Sequence, residues 1–343
     1  MIMRVLTFGE ILLRLASPGY TKLFQKDYLE CSFCGAEANV AVSLAIFGLD
    51  SEYMTILPDN EIGEAALSSL RYFGVNTDNV IFRNGRMGLY YLEKGASQRS
   101  SKVIYDRSYS AIALAKTSDF NWNKIFLGVD WFHWTGITPA ISDNLSDIIL
   151  EACKVAKSKG IIISCDLNYR KKLWDSNKAQ NVMTKLMPYV DVCIANEEDA
   201  EQVLGIKSRE NDIEAGILCE AGYEIVAKQI CRIYGCKKVA ITLRESYSAS
   251  RNGWSGMLYD SFKRKAYFSR KYDIQIVDRV GGGDSFSAAL IYSLIKEKSN
   301  RDSIEFAVAA SCLKHTIEGD YNRTTIEDIE RVIYNGGNGR VQR

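Results

Sequence analysis

Nowhere among the 343 residues do about eighteen apolar side chains follow one another, so no membrane-crossing helix is expected. Met1 to Ala16 opens with apolar residues but carries Arg4, Glu10 and Arg14, which argues against an export signal and makes the cytoplasm the expected location. An excess of charge is missing too. Lys and Arg number 43 against 42 Asp and Glu, with no basic run, so the chain is expected to bind neither nucleic acid nor membrane, and its partner should be small. Only four prolines occur, with no repeat or low-complexity tract, which argues against a flexible hinge segment; residues 1–343 read as one domain. Histidine is scarcer still: only His133 and His315 could add imidazole ligands to the lone C-x-x-C of Cys31 and Cys34, so no zinc site is expected. The nine cysteines are odd in number and scattered, which fits reduced thiols better than a disulfide framework. The chain also lacks a G-x-x-x-x-G-K-[ST] loop, and its contiguous glycines before a carboxylate are not a dinucleotide fingerprint.

What is present is a hydrophobic content of 47%, enough for a large core, arranged in repeated alternation. "RVLTFG" (Arg4 to Gly9) is followed by "AEANVAVSLAIFG" (Ala36 to Gly48), then by "SEYMTIL" (Ser51 to Leu57) and "EIGEAALSSLRYFG" (Glu61 to Gly74). "VDWFHWTG", a helix from about Ser142 to Lys159, "IIISCDLN", a helix near Ala179 to Leu186, "VDVCIAN" and "KVAITL" continue it. β-like runs alternating with segments of helical period predict an α/β fold, a mostly parallel sheet flanked by helices. Ligands in such sheets bind at the carboxyl ends of the strands. Two regions break the alternation, residues 11–33 and 86–109, and these predict a small β-sheet that covers the strand ends as a lid and excludes water. The tail from Asn335 to Arg343 reads as loose.

Several strings carry chemistry. In "VDRVGGGDSFSAAL" (Val277 to Leu290) three glycines meet the start of an apolar helix. A helix start leaves N–H groups unpaired, and Gly281, Gly282 and Gly283 would let an anion approach them. Asp284 adds a negative charge at the same place. It is either a base beside the anion or simply an acid in a helix first turn. "DLNYR" (Asp166 to Arg170) and "NEED" (Asn196 to Asp199) end neighbouring strands, where carboxylates and an amide could orient Mg²⁺ through waters or Asn196 could cap a helix. Arg107 and Arg170 could pair with a carboxylate or phosphate, or be solvated; Tyr90, Tyr91 and Tyr105 could hydrogen-bond a polyol. "CGAEANVA" (Cys34 to Ala41) could set Gly35 and Asn39 against sugar hydroxyls, or form an ordinary helix start.

Taken together, these strings resemble the ribokinase-like (PfkB-type) carbohydrate kinases, and within them the 2-keto-3-deoxygluconate kinases. The likeness runs from "FGEILLRL" (Phe8 to Leu15) to "HTIEGD" (His315 to Asp320), through "GAEANVAVSLAIFG", "IGE", "GLYY", "TGITPAIS", "DLNYRKKLW" and "VGGGDSF". It implies a kinase using ATP and Mg²⁺, leaves a monovalent cation requirement open, and makes a homo-oligomer plausible. By matching motif it makes Asp284 the base on the sugar's terminal hydroxyl and Gly281 to Gly283 the anion hole. Gly35, Asn39, Tyr90, Tyr105, Arg107, Ile137, Arg170 and Asp320 match the acid-sugar pocket. Asn196, Thr242, Arg244 and Glu245 match the nucleotide site, with Asp199 holding Mg²⁺ through water.

The chain departs from the family pattern in four places. Asp199 stands where Glu is usual, and "TLRESYSAS" (Thr242 to Ser250) lacks the glycines of the ATP loop. Gly282 replaces a commoner alanine, a change expected only to loosen the turn, and Ser287 and Ala289 stand where small residues occur. The atypical loop keeps a catalytically silent sugar-binding sensor in view, and a neutral ketose such as fructose is the alternative substrate.

Overall fold

A computed structural model describes residues 3–196, 198–207 and 220–335. The expectation for the tail lies outside the described residues from position 336 onward, as does Glu197 of the "NEED" string. In chain order the strands are β1 (Arg4–Phe8), β2 (Leu12–Ala16), β3 (Glu30–Cys34), β4 (Asp50–Met54), β5 (Ile56–Pro58), β6 (Ile81–Arg83), β7 (Gly88–Glu93), β8 (Lys102–Asp106), β9 (Trp131–Thr135), β10 (Ile162–Asp166), β11 (Val192–Ala195), β12 (Lys238–Ser248), β13 (Arg251–Asp260), β14 (Lys265–Phe268) and β15 (Tyr272–Gln275).

The large sheet has the order β14-β13-β12-β11-β10-β9-β1-β4, with β15 also on β13. Neighbours from β4 across to β12 are parallel, and the pairings of β13 with β12, β14 and β15 are antiparallel. Strand alternation divides the core between two faces. Leu6 and Phe8 of β1, with Phe132 and Trp134 of β9, pack on one side beneath the helix Asp143–Ser158. Val5 and Trp131 point to the other, where the helices Ala36–Ile46, Gly282–Ile295 and Asn300–Lys314 lie. The helix Gly282–Ile295 has no polar stripe because it is buried nearly all round, and Ser287, Ala288 and Ala289 are wholly covered. Among the described residues no helix is long and apolar enough to cross a membrane.

The smaller sheet has the order β3-β2-β7-β8, built from the two regions that broke the alternation. With the large sheet it makes up the expected ribokinase-like arrangement. Two strands differ from the sequence reading. Ser51 to Leu57 is not continuous: β4 joins the large sheet, whereas β5 leaves it at Thr55 to pair with β6. "KVAITL" does not end at Leu243, because the alternation Arg244, Glu245, Ser246 prolongs β12 against β13 as far as Ser248.

Candidate active site

The carboxyl ends of β1, β9, β10 and β11 open on one cleft of about 360 Å³, roofed by β7 and β8 of the smaller sheet. β1 lies between β4 and β9, so neighbouring connections part there, as expected for a ligand crevice in an open sheet. Gly281 precedes the helix Gly282–Ile295 with φ +81, a left-handed turn that favours glycine. The N–H groups of Gly282, Gly283 and Asp284 belong to the first turn and so have no partner within the helix. A Cβ on Gly283 would meet nothing within 4 Å, so this side of the turn is open to a ligand. Gly282 is different: a Cβ there would stand 2.7 Å from Nε2 of buried His315. The expectation that glycine merely loosens this turn is thereby corrected, since the His315 ring fills the volume an alanine methyl would need.

Asp284 sits in the helix first turn, half-buried, and Asn39 Nδ2 donates to its Oδ2 at 2.6 Å. Burial pushes its carboxyl up to about 7; the Asn39 bond and Arg170 oppose the shift, while Asp320 and Glu37 add to it. A base poised near neutrality suits removal of a hydroxyl proton.

Asp166, at the end of β10, and Asp199 are both buried, and burial raises both carboxyls, Asp166 well above the usual range. Asp199 and Asp284 add to the shift at Asp166, and Arg170 opposes it at all three acids. Asp199 accepts the Tyr169 N–H at 3.0 Å and the Asn196 N–H at 3.1 Å, and Asn196 Oδ1 accepts the N–H groups of Glu198 and Asp199. Asn196 thus satisfies two amides just before the helix Asp199–Leu204, whose N-cap position is Glu198 rather than Asn196. Among the described residues no three such side chains are grouped to hold a metal ion directly, and each oxygen of Asp199 already accepts an amide, so these desolvated carboxylates fit a Mg²⁺ only through its water shell.

Substrate-side residues converge as expected. Gly35, Asn39, Tyr90, Tyr105, Arg107, Ile137, Arg170 and Asp320 all line the cleft. A Cβ on Gly35 would run into the Glu10 carbonyl, so this helix start requires glycine. The two arginines differ in their surroundings. Arg107 Nε donates to Glu10 Oε2 at 2.6 Å, and its guanidinium forms a buried ion pair with that carboxylate. Arg170 makes no ion pair among the described residues, and its Nη1 donates to the Tyr169 carbonyl at 2.9 Å. Asp320 is less available than its match to a substrate residue implies: Tyr90 Oη donates to it at 2.8 Å and Arg14 binds it in a buried ion pair.

The far end of the cleft suits a polyphosphate. Asn196, Thr242 and Arg244 line it, with Asn252, Trp254 and Arg279. Burial lowers the Arg279 guanidinium, and the adjacent positive charge of Arg244 lowers it further. The Asn252 amide is wholly buried with neither its oxygen nor its nitrogen hydrogen-bonded, and the Trp254 indole N–H also has no partner. Orphaned donors and acceptors beside two neighbouring guanidinium groups fit a nucleotide. Glu245 does not join them; Lys271 Nζ at 2.8 Å and Tyr247 Oη at 2.7 Å take its carboxylate on the surface of the hairpin.

Sequence reasoning missed Arg14, Glu37, Asn252, Asp278, Arg279 and Lys314. Arg14 shares the buried face of β2 with Leu12 and Ala16, a charge in an apolar row that period-two reading could have flagged. Glu37, buried and holding Thr135 and Thr138, lay unremarked inside "CGAEANVA".

The pfkB family carbohydrate kinase profile matches residues 3–326. A 2-dehydro-3-deoxygalactonokinase of Haloferax volcanii is 31% identical over 339 residues, which cover 99% of each chain. A 2-dehydro-3-deoxygluconokinase of Bacillus subtilis is 25% identical over 317 residues, 92% of this chain and 90% of that one. The crystal structure of a 2-dehydro-3-deoxygluconokinase from Thermotoga maritima superposes with a TM-score of 0.92 at 50% identity, covering 96% of this chain and 99% of the other.

Proposed function

Since the chain belongs to the pfkB family of carbohydrate kinases, we propose that it transfers the γ-phosphoryl group of ATP to the terminal hydroxyl of 2-keto-3-deoxygluconate. Asp284 accepts the hydroxyl proton as that oxygen forms its bond to phosphorus, and the bond from phosphorus to the bridging oxygen of ADP breaks. Asn39 holds the Asp284 carboxylate in place, and the first-turn N–H groups at Gly282 and Gly283 face the charge that develops on the phosphoryl oxygens. Bound Mg²⁺, held through water by Asp199 and Asp166, would neutralise phosphate charge. Thr242, Arg244, Arg279 and Asn196 hold the nucleotide, and the smaller sheet closes over the sugar through Tyr90 and Tyr105.

The observation that carries the acid-sugar reading is Arg170: a guanidinium in the cleft with no ion pair among the described residues can take a substrate carboxylate bidentately. Arg107, already matched by Glu10, contributes shape and a hydrogen bond more than a free charge. The Haloferax volcanii relative favours a second reading, that the sugar is the galactonate epimer. The test is ADP release with Mg-ATP and, in turn, both 2-keto-3-deoxy acids, fructose, ribose and no sugar, beside Asp284→Ala. Turnover on one acid sugar that vanishes in the variant is expected. Equal turnover on fructose would sink the role of Arg170, and nucleotide binding without turnover on any sugar would favour a silent sensor.

A further inference from the structure

Lys314 ends the helix Asn300–Lys314 and is wholly buried. A buried lysine is seldom left without a carboxylate partner, because removing an ammonium from water is costly. Yet among the described residues Lys314 forms no ion pair, and its hydrogen bond runs from Nζ to the Ile317 carbonyl at 3.2 Å. Its place explains the choice. A Cβ added to Gly281 would stand 3.1 Å from Lys314 Cε and against the Asp320 carbonyl, so the lysine lies directly beneath the glycine turn.

Two loops meet over this ammonium. Asp278 accepts the N–H of Val280 at 3.2 Å from one and that of Gly319 at 3.2 Å from the other. Asp278 and Asp320 both bind Arg14 of β2. Beneath Gly281 two buried carboxylates are thus matched by two buried cations, Arg14 from the smaller sheet and Lys314 from the large one. Burial lowers the Lys314 ammonium from its ordinary value, against the pull of Asp278, Asp320 and Asp284 and with a smaller push from Arg14. Without Lys314 the cluster would carry a net negative charge directly under the turn that must receive a phosphoryl group.

We propose that Lys314 is the resident cation of this site, a positioning residue that holds the Gly281 turn, so that phosphoryl transfer by this chain needs no bound monovalent metal ion. The inference rests on the anion-hole reading of Gly281 to Gly283. It settles in the chain's own residues the question of an added cation, because the ammonium occupies the meeting point of the two loops.

The test begins with the unaltered protein, assayed with Mg-ATP and the acid sugar in choline chloride, KCl and NaCl at one ionic strength. Rates agreeing within about twofold are expected, since only screening is shared among the three salts. A rate about tenfold or more higher in KCl overturns the proposal, whether or not any variant folds. Lys314→Met is then expected to lose about 100-fold in kcat in choline chloride, the order of losing one oxyanion donor, with KM changed little. KCl or NH4Cl restores part of that rate and raises the variant's Tm but not that of the unaltered protein. A folded variant that is fully active in choline chloride, or that responds to neither salt, refutes the resident-cation role. Absence of turnover by the unaltered protein in every salt counts against the substrate reading, and the Tm comparison then decides the cation question alone.

Discussion

Replacing Gly282 with alanine tests whether this anion hole is built around His315. The methyl carbon would stand 2.7 Å from His315 Nε2 and 3.1 Å from Nδ1, inside van der Waals contact. The ring has little freedom to withdraw. Nδ1 is 2.6 Å from the Ser311 carbonyl, the ring packs on Trp254 at 4.9 Å between centroids, and the His315 carbonyl accepts the N–H groups of Val277 and Asp278. Overpacking at a site that cannot yield costs about 1–3 kcal/mol. With an unfolding entropy near 0.7 kcal/mol/K for a chain this long, Tm should fall by about 1.5 to 4 °C.

In the proposed mechanism the turn that shifts is also the one that meets the phosphoryl group, so a displacement of about 0.5 to 1 Å there should lower kcat by about 10- to 100-fold. The assay is Tm and kcat for Gly282→Ala, His315→Ser and the pair. His315→Ser makes room for the methyl, so the double variant should regain at least about 1 kcal/mol relative to the sum of the single changes. Gly282→Ala with unchanged Tm and kcat, or strict additivity in the pair, would refute the steric account.

Other expectations follow from the same geometry. Asp284 binds a proton up to about pH 7 in the folded chain but only to about pH 4 when unfolded, so its contribution to stability is lost as pH rises through that window. Asp284→Asn should therefore raise Tm more at pH 8 than at pH 4 while abolishing turnover, and kcat/KM of the unaltered protein should climb to a plateau above about pH 7. A variant less stable than the parent at pH 8 would contradict the burial argument. Arg170→Ala should raise KM for the acid sugar by about 100-fold, whereas Arg107→Ala should lose about 3–5 kcal/mol of stability by stranding Glu10. Adding Glu10→Gln should recover much of the Arg107 loss in a urea titration; no recovery would show that the pair is not the cause.

The parallel sheet was legible because period-two and helical runs alternate strongly, and the glycine turn because Gly281 to Gly283 precede an apolar helix. Most predicted site residues meet in one cleft for that reason: strand ends are where the topology must deliver them. The buried charge network was not legible. Nothing in the string "LLRLA" says that Arg14 will find Asp278 and Asp320, which are more than 250 positions away. Glu245 was misjudged because β12 continues past the point where a loop was expected, which puts its side chain out on the hairpin beside Lys271. His315 shows the same limit, since its effect on Gly282 depends on a helix end meeting a helix start across the fold.

The charges of the cleft explain why a carboxylate can follow an anion-binding glycine turn. Asp166, Asp199 and Asp284 raise one another's proton affinity or are raised by burial, and Arg170 is the cation that acts on all three. At the other end Arg244 presses on Arg279, so positive charge accumulates there. Separation of this kind costs stability, and in the proposed mechanism it is relieved when the nucleotide's phosphates meet the arginines and its divalent cation meets the acids. In that mechanism a sugar carboxylate that engages Arg170 would withdraw the guanidinium's support from Asp284 and so strengthen that group as a base. In the proposed mechanism the first-turn N–H groups are what offset Asp284 at the glycine turn, while Lys314 and Arg14 together only balance Asp278 and Asp320 beneath Gly281.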